Sequence, residues 1–167
     1  MGKIQTERLL LEPFVNVDFE AFSALRSDPT VMLHMVGGPT TGQEAQELFD
    51  AYLAAWQGQG LGMWAVRDRE NLDYVGECGF WNREGEVGLT IRYLLHKKYW
   101  GRGLAGEAVN AAVRHGLERA DIRHLSALAL RDNTRSCSIL ERLGMNVVEE
   151  NHQGVEGFRR YVLPLNG

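Results

Sequence analysis

Lys98-Tyr99-Trp100-Gly101-Arg102-Gly103-Leu104-Ala105-Gly106-Glu107 is the stretch that decides how this chain folds. An apolar, strand-like run from Leu89 to Leu95 leads into it. A long helical pattern follows, with Leu104, Ala108, Val109, Ala112, Val113 and Leu117 at the spacing of one face. Two glycines flanking one residue at a strand-to-helix junction predict backbone N–H groups bared for an anion. Gly101 to Gly106 also spell G-x-G-x-x-G, the dinucleotide fingerprint. Three readings compete for this loop: the pyrophosphate of an acyl-CoA, a nicotinamide or flavin dinucleotide, and glycines that only let strand and helix pack closely.

The dinucleotide reading needs an acidic residue at the far end of the next parallel strand. Asp121 has about the right spacing from Gly101, but it precedes the following strand-like run, Leu125 to Leu130, and too little chain remains for a doubly wound sheet. A Walker phosphate loop is excluded because no Gly-Lys-Ser/Thr follows the glycines.

Outward from the loop, the chain reads as α+β. Ile4 to Phe14 predicts a strand, placed at an edge by Pro13. Asp18 precedes a helical spacing of Phe19, Phe22 and Leu25 that stops near Asp28-Pro29. Thr41 and Glu44 spell a capping box ahead of Leu48, Phe49, Tyr52, Leu53 and Trp56, and Gly58 and Gly60 end that helix. Met63 to Val66, Tyr74 to Trp81 and Val87 to Leu95 predict an antiparallel meander. Beyond the long helix come a strand at Leu125 to Leu130 and a short helix opened by Asp132-Asn133-Thr134, with Ile139, Leu140 and Leu143 inward. Strands follow around Met145 to Val148 and Phe158 to Leu163. With no repeat or linker, residues 1–167 read as a single α+β domain with helices flanking a mixed sheet.

Composition narrows the class. The 167 residues are 44% hydrophobic and 24% charged, average for a globular domain. A net charge of -4 argues against bulk attraction to nucleic acid or anionic membranes, and mildly suits a cationic acceptor. No apolar run reaches a membrane span, and the N-terminus lacks a signal-peptide layout. Cys78 and Cys137 form no CxxC pair or metal-ligand cluster, so no metal is expected, and reduced thiols point to the cytoplasm.

The loop from Lys98 to Ala105 resembles the acetyl-CoA-binding loop of the GNAT superfamily of N-acetyltransferases. Its branch of ribosomal-protein N-terminal acetyltransferases typically reads Tyr-Trp-Gly-x-Gly-x-Ala-Thr-Glu-Ala, with Gly106 replacing the threonine here. Thr6-Glu7-Arg8-Leu9-Leu10-Leu11 resembles the start of that branch. Asn133-Thr134-Arg135-Ser136 through Leu143-Gly144-Met145 resembles its Asn-x-x-Ser…Gly-Phe segment. Three motifs in the expected order cover nearly the whole chain. The departures are Lys98 for an Arg or Gln, Thr90-Ile91-Arg92-Tyr93 for Glu-Ile-Gly-Tyr, and Met145 for phenylalanine.

The resemblance implies a GNAT fold with splayed strands, acetyl-CoA as donor and a primary amine as acceptor, either a protein N-terminus or a small molecule. It implies pantetheine contacts at Leu94 and Leu95, and a diphosphate on the amides of Gly101, Arg102, Gly103, Leu104 and Ala105. Lys97, Lys98, Arg102 and Arg135 are candidates for the remaining phosphate charge. Asn133 reads as a helix N-cap, and by resemblance also lies beside the cofactor. The tyrosine that many members carry seven residues on is Leu140 here, which passes its role as acid toward the thiolate to Ser136. A strand amide near Leu95 is the implied oxyanion donor.

An amine must lose a proton before it attacks. At pH 7 this costs about 4.6 kcal/mol for a lysine-like amine but roughly 1 for an α-amine. An α-amine therefore manages with water, whereas a lysine or polyamine needs a base. Glu77, Glu86 and Glu156 are the candidates, Glu77 first because it falls inside a predicted strand. Cys137 reads as a small buried residue, not as a nucleophile. The rival functions are a catalytically silent acyl-CoA-binding module, favoured by the missing strand acid, and the dinucleotide enzyme. Oligomeric state is open, with a homodimer among the alternatives.

Overall fold

In the computed structural model, which describes residues 2–166, local patterning and tertiary structure agree closely. The strands are β1 (Ile4–Gln5), β2 (Leu9–Pro13), β3 (Met63–Asp68), β4 (Tyr74–Trp81), β5 (Leu89–Leu95), β6 (Leu125–Leu130), β7 (Asn146–Glu149) and β8 (Phe158–Val162). The helices are α1 (Phe19–Ser27), α2 (Gly42–Gln59), α3 (Leu104–Arg119) and α4 (Thr134–Arg142). They build one mixed sheet in the order β1-β2-β3-β4-β5-β6-β8-β7, antiparallel at every junction except β5 with β6.

Alternation along the central strands sorts side chains onto two faces. In β3, Trp64 and Val66 join one core with Cys78, Phe80, Ile91 and the inner stripes of α3 and α4. Met63 and Ala65 join the other, with Phe22, Phe49 and Tyr52 from α1 and α2. Covered on both faces, the middle of the sheet holds its backbone rigidly, and that rigidity positions the site.

Three local expectations are corrected. Thr41 is the N-cap of α2 but its side chain makes no cap hydrogen bond, so the Thr41–Glu44 box does not form. Leu117 is 40% exposed, although its neighbour Gly116 packs against Phe80 of β4. The first strand is broken at Thr6-Glu7-Arg8, and β2 is not at the edge. Pro13 is tolerated because β1 covers β2 only at Leu10 and Leu11, which leaves the outer flank of Pro13 open.

Candidate active site

The one parallel junction is also where the sheet opens. β5 pairs with β6 only at Leu89↔Leu125 and Thr90↔Ser126. Beyond that, β6 follows β8 while β5 follows β4. The His96 N–H donates to the Val75 carbonyl of β4 at 3.0 Å. By alternation, Tyr93 and Leu95 present their N–H groups to the opposite, unpaired edge. Leu94 lines the gap, but its backbone is turned toward β4, so only its side chain is available to a ligand there. Gly76 permits this close pairing, since a Cβ on it would lie 2.0 Å from the Leu94 carbonyl oxygen. A cavity of roughly 870 Å³ follows the gap from β5 to the glycine loop.

At the loop, Gly101 and Gly103 adopt φ of 73° and 74°, a left-handed region that favours glycine. A Cβ on Gly101 or Gly106 would meet nothing within 4 Å, so close strand–helix packing does not explain these glycines. The first carbonyl-to-amide bond of α3 runs from Glu107 N–H to Gly103 at 3.1 Å, which leaves the amides of the preceding turn without intrahelical partners. Gly101, Gly103, Leu104 and Ala105 line the cavity. Arg102 does not. Its guanidinium and the Lys98 ammonium lie over the Tyr99 ring, at 5.8 and 4.9 Å. Lys97 and Arg135 line the cavity, and Arg135 stacks on Trp100 at 5.5 Å. The Trp100 indole donates to the Leu95 carbonyl at 2.9 Å, which satisfies that group on the open edge.

Asn133 caps α4, accepting from the Ser136 N–H at 3.3 Å, and both residues line the cavity. The cap aims Ser136 at β5, where its hydroxyl shares a 2.6 Å hydrogen bond with the Tyr93 hydroxyl. Burial pushes the Tyr93 phenol up, so it remains protonated near neutrality. Tyr93 carries no motif signal of its own, because in Thr90-Ile91-Arg92-Tyr93 the departures from the family pattern lie at Thr90 and Arg92, ahead of it. Alternation was the available signal, since it puts Tyr93 on the face of Ile91 and Leu95, under α4.

The three carboxylate candidates separate clearly. Glu77 lines the cavity and is fully buried. Arg26 donates to it at 2.5 Å and Tyr52 at 3.0 Å. Burial alone would lower the Arg26 pKa, but Glu77 beside it holds it raised. Burial and Glu77 push Tyr52 up to about 12. Glu86 does not line the cavity. Its buried carboxylate accepts from Arg160 at 2.7 Å and contacts His152. Glu156 is exposed and outside the lining. Cys137 is buried and its thiol donates to the Leu130 carbonyl at 3.6 Å, while burial pushes the Cys78 thiol up. Asp121 pairs with Arg123 on an exposed connection ahead of β6, far from any ribose-binding geometry. Among the described residues no cluster of metal-ligating side chains occurs, and no helix is long and apolar enough to cross a membrane.

Comparison with known proteins agrees with this geometry. The sequence profile of the acetyltransferase (GNAT) domain matches residues 8–146. The uncharacterized N-acetyltransferase p20 of Bacillus licheniformis is 28% identical over 146 residues, covering 86% of this chain and 82% of that protein. A GNAT-family acetyltransferase structure from Bacillus anthracis superposes with a TM-score of 0.78 at 25% identity, covering 96% of this chain and 95% of that one. The fold is also that of RimL, a ribosomal L7/L12 α-N-protein acetyltransferase solved with coenzyme A, at TM-score 0.80, 17% identity and 96% coverage of each chain. An open strand edge running into an amide cradle is thus accompanied by family membership over most of the chain, and the protein belongs to the GNAT family of acetyl-CoA-dependent N-acetyltransferases.

Proposed function

We propose that this protein transfers the acetyl group of acetyl-CoA to an α-type primary amine by direct attack. The observation that carries the reading is the open edge of β5, which runs past the Ser136–Tyr93 hydroxyl pair into the amides of the glycine loop. Leu95 offers its N–H to the thioester oxygen, where negative charge develops. The loop amides and the start of α3 hold the diphosphate, with Lys97 and Arg135 beside them. Acetyl-CoA supplies an activated acyl carbon whose bond to sulfur breaks as the bond to nitrogen forms. Ser136 gives its hydroxyl proton to the departing sulfur and takes back, through water, the proton that the acceptor nitrogen sheds as the amide forms, while the Tyr93 hydroxyl hydrogen-bonds Ser136 and holds it in place. That pair fills the acid role left open by Leu140.

Glu77 supports the α-amine over a lysine-like acceptor. Were Glu77 to take a proton, the Arg26 charge would be left uncompensated in the interior, which opposes a base role. An acceptor that needs only about 1 kcal/mol to deprotonate can lose its proton to water.

Thiol release from acetyl-CoA, measured across a broad amine panel beside calorimetric CoA binding, tests the reading. Transfer to α-amine peptides is expected, with Ser136→Ala lowering kcat about a hundredfold at unchanged CoA affinity. CoA binding without thiol release for any amine would establish the silent module instead. An unchanged kcat in Ser136→Ala would remove the serine from the proton path.

A further inference from the structure

Two arginines border the same cavity. Arg83 lies in the connection between β4 and β5, and Arg92 lies on β5 beside Tyr93. Neither guanidinium makes an ion pair or side-chain hydrogen bond among the described residues, although both are half-buried. Each is instead held by an aromatic ring: Arg83 over Phe158 at 5.5 Å and Arg92 over Trp81 at 5.7 Å. Both border the main cavity and a smaller one of about 450 Å³ behind it. Burial and the Arg92 charge lower the Arg83 pKa and outweigh the opposing pull of Glu86, whose carboxylate is already bonded to Arg160 and His152. Arg26 adds no net charge there because Glu77 cancels it. The carboxylates facing the smaller cavity are Glu44 and Glu47 on α2, both exposed and neither bridged to an arginine.

Successive residues of a strand point to opposite faces. Tyr93 therefore meets Ser136 on one face of β5, while Arg92 meets Trp81 on the other. A donor laid along the gap has its sulfur toward the hydroxyl pair, which leaves the arginine face for the incoming amine.

We infer that Arg83 and Arg92 form an anion clamp at the acceptor end, which selects amines that carry a carboxylate or phosphate near the reacting nitrogen. This rests on the acetyl-transfer reading above. Two ring-held guanidiniums present a fixed fork of donors that matches either anion, and an anion there relieves their mutual repulsion. The clamp opposes the chain's overall charge of -4 and reverses the preference that this charge suggests.

Five peptide amides that share an N-terminal alanine test it: Ala-Asp-Ala against Ala-Asn-Ala, and Ala-phosphoserine-Ala against Ala-Ser-Ala, with Ala-Lys-Ala as the cationic comparison. The anionic member of at least one pair is expected to show kcat/KM about tenfold above its neutral twin. Which pair shows it distinguishes carboxylate from phosphate. The double variant R83M/R92M is expected to shrink that ratio to about threefold or less, with calorimetric CoA affinity as the check on folding. Equal rates within both pairs, a faster Ala-Lys-Ala, or a ratio that survives in R83M/R92M would overturn the clamp and leave acetyl transfer standing. If no peptide is turned over, the transferase reading fails, and binding of Ala-phosphoserine-Ala and Ala-Asp-Ala amides to the CoA-loaded protein decides the clamp. Saturable binding lost in R83M/R92M sustains it, and no binding overturns it.

Discussion

A carboxylate with no exposed surface persists only where its charge is met, and Glu77 is met by Arg26 and Tyr52. Removing one member of such a pair strands the other, so Glu77→Gln is expected to cost about 3–5 kcal/mol of unfolding free energy in urea. The apolar double replacement R26M/E77L is expected to restore most of that loss, because neither charge is then left alone. A Glu77→Gln loss under about 1 kcal/mol would mean the pair is not what holds α1 to β4. The same variant addresses the base. The acid limb of kcat/KM should persist in Glu77→Gln and move with the pKa of the acceptor amine. An acid limb that vanishes would return Glu77 to the base role. At this scale the sequence was legible only in part. It located Glu77 within a strand between Gly76 and Cys78, but its partner lies 51 residues away on a helix that crosses the sheet. Ser136 was reached through a motif. Tyr93, which gives the serine its meaning, needed the register of β5 against α4.

Two sequence stretches that resemble one family, 101 residues apart from Thr6 to Glu107, meet as a single device. In the first turn of α3, Glu107 accepts from the Thr6 hydroxyl at 2.6 Å, from the Arg8 backbone N–H at 2.9 Å and from its Nε at 2.7 Å. Arg8 then reaches the Arg102 carbonyl at 2.7 Å. The segment between β1 and β2 thus grips the glycine loop from outside and leaves its amides facing the cavity. That grip sets the loop's shape, whereas the bulk of α3 is held by the core. Glu107→Ala is therefore expected to weaken CoA binding by about tenfold while the melting temperature falls only a few degrees. Arg8→Met should weaken binding as well, and the double variant should lose less than the sum of the two, since both remove the shared guanidinium–carboxylate pair. Additive losses in calorimetry would show that the two residues act independently. Glu118→Ala on the exposed side of α3 serves as the control. Helix and strand boundaries were largely readable from periodicity, because amphipathic stripes report burial directly. The grip on the glycine loop was not, since nothing in the spacing of Thr6, Arg8 and Glu107 requires them to meet.

Across the molecule, buried or gripped carboxylates tie together pieces that are distant in sequence. Glu107 joins the N-terminal segment to α3, and Glu86 joins the connection after β4 to β8 through Arg160 and to the turn carrying His152. The order of strands and the opening between β5 and β6 could not be read from local pattern. They follow from which strands find partners along their whole length, and β5 finds β6 for two residue pairs only. The acid behaviour of the fold follows from these ties. Burial works against the Glu86 anion, but hydrogen bonds from Arg160 and His152 outweigh it and hold its pKa below the ordinary 4.5. Burial likewise opposes the Glu107 anion, and Thr6 and Arg8 hold it below the same value. A carboxylate whose pKa is depressed by folding binds fewer protons in the native state than in the unfolded chain. Its contribution is complete above about pH 4.5 and is lost as the pH falls through the lower native value. Urea midpoints should accordingly hold steady from pH 7 to about pH 5 and then drop toward pH 3. In E86Q/E107Q the midpoint at pH 7 should be lower and the drop below pH 5 shallower, because the ties are already missing. A double variant that lost stability at pH 7 yet kept the full parental drop would place the acid sensitivity in other carboxylates.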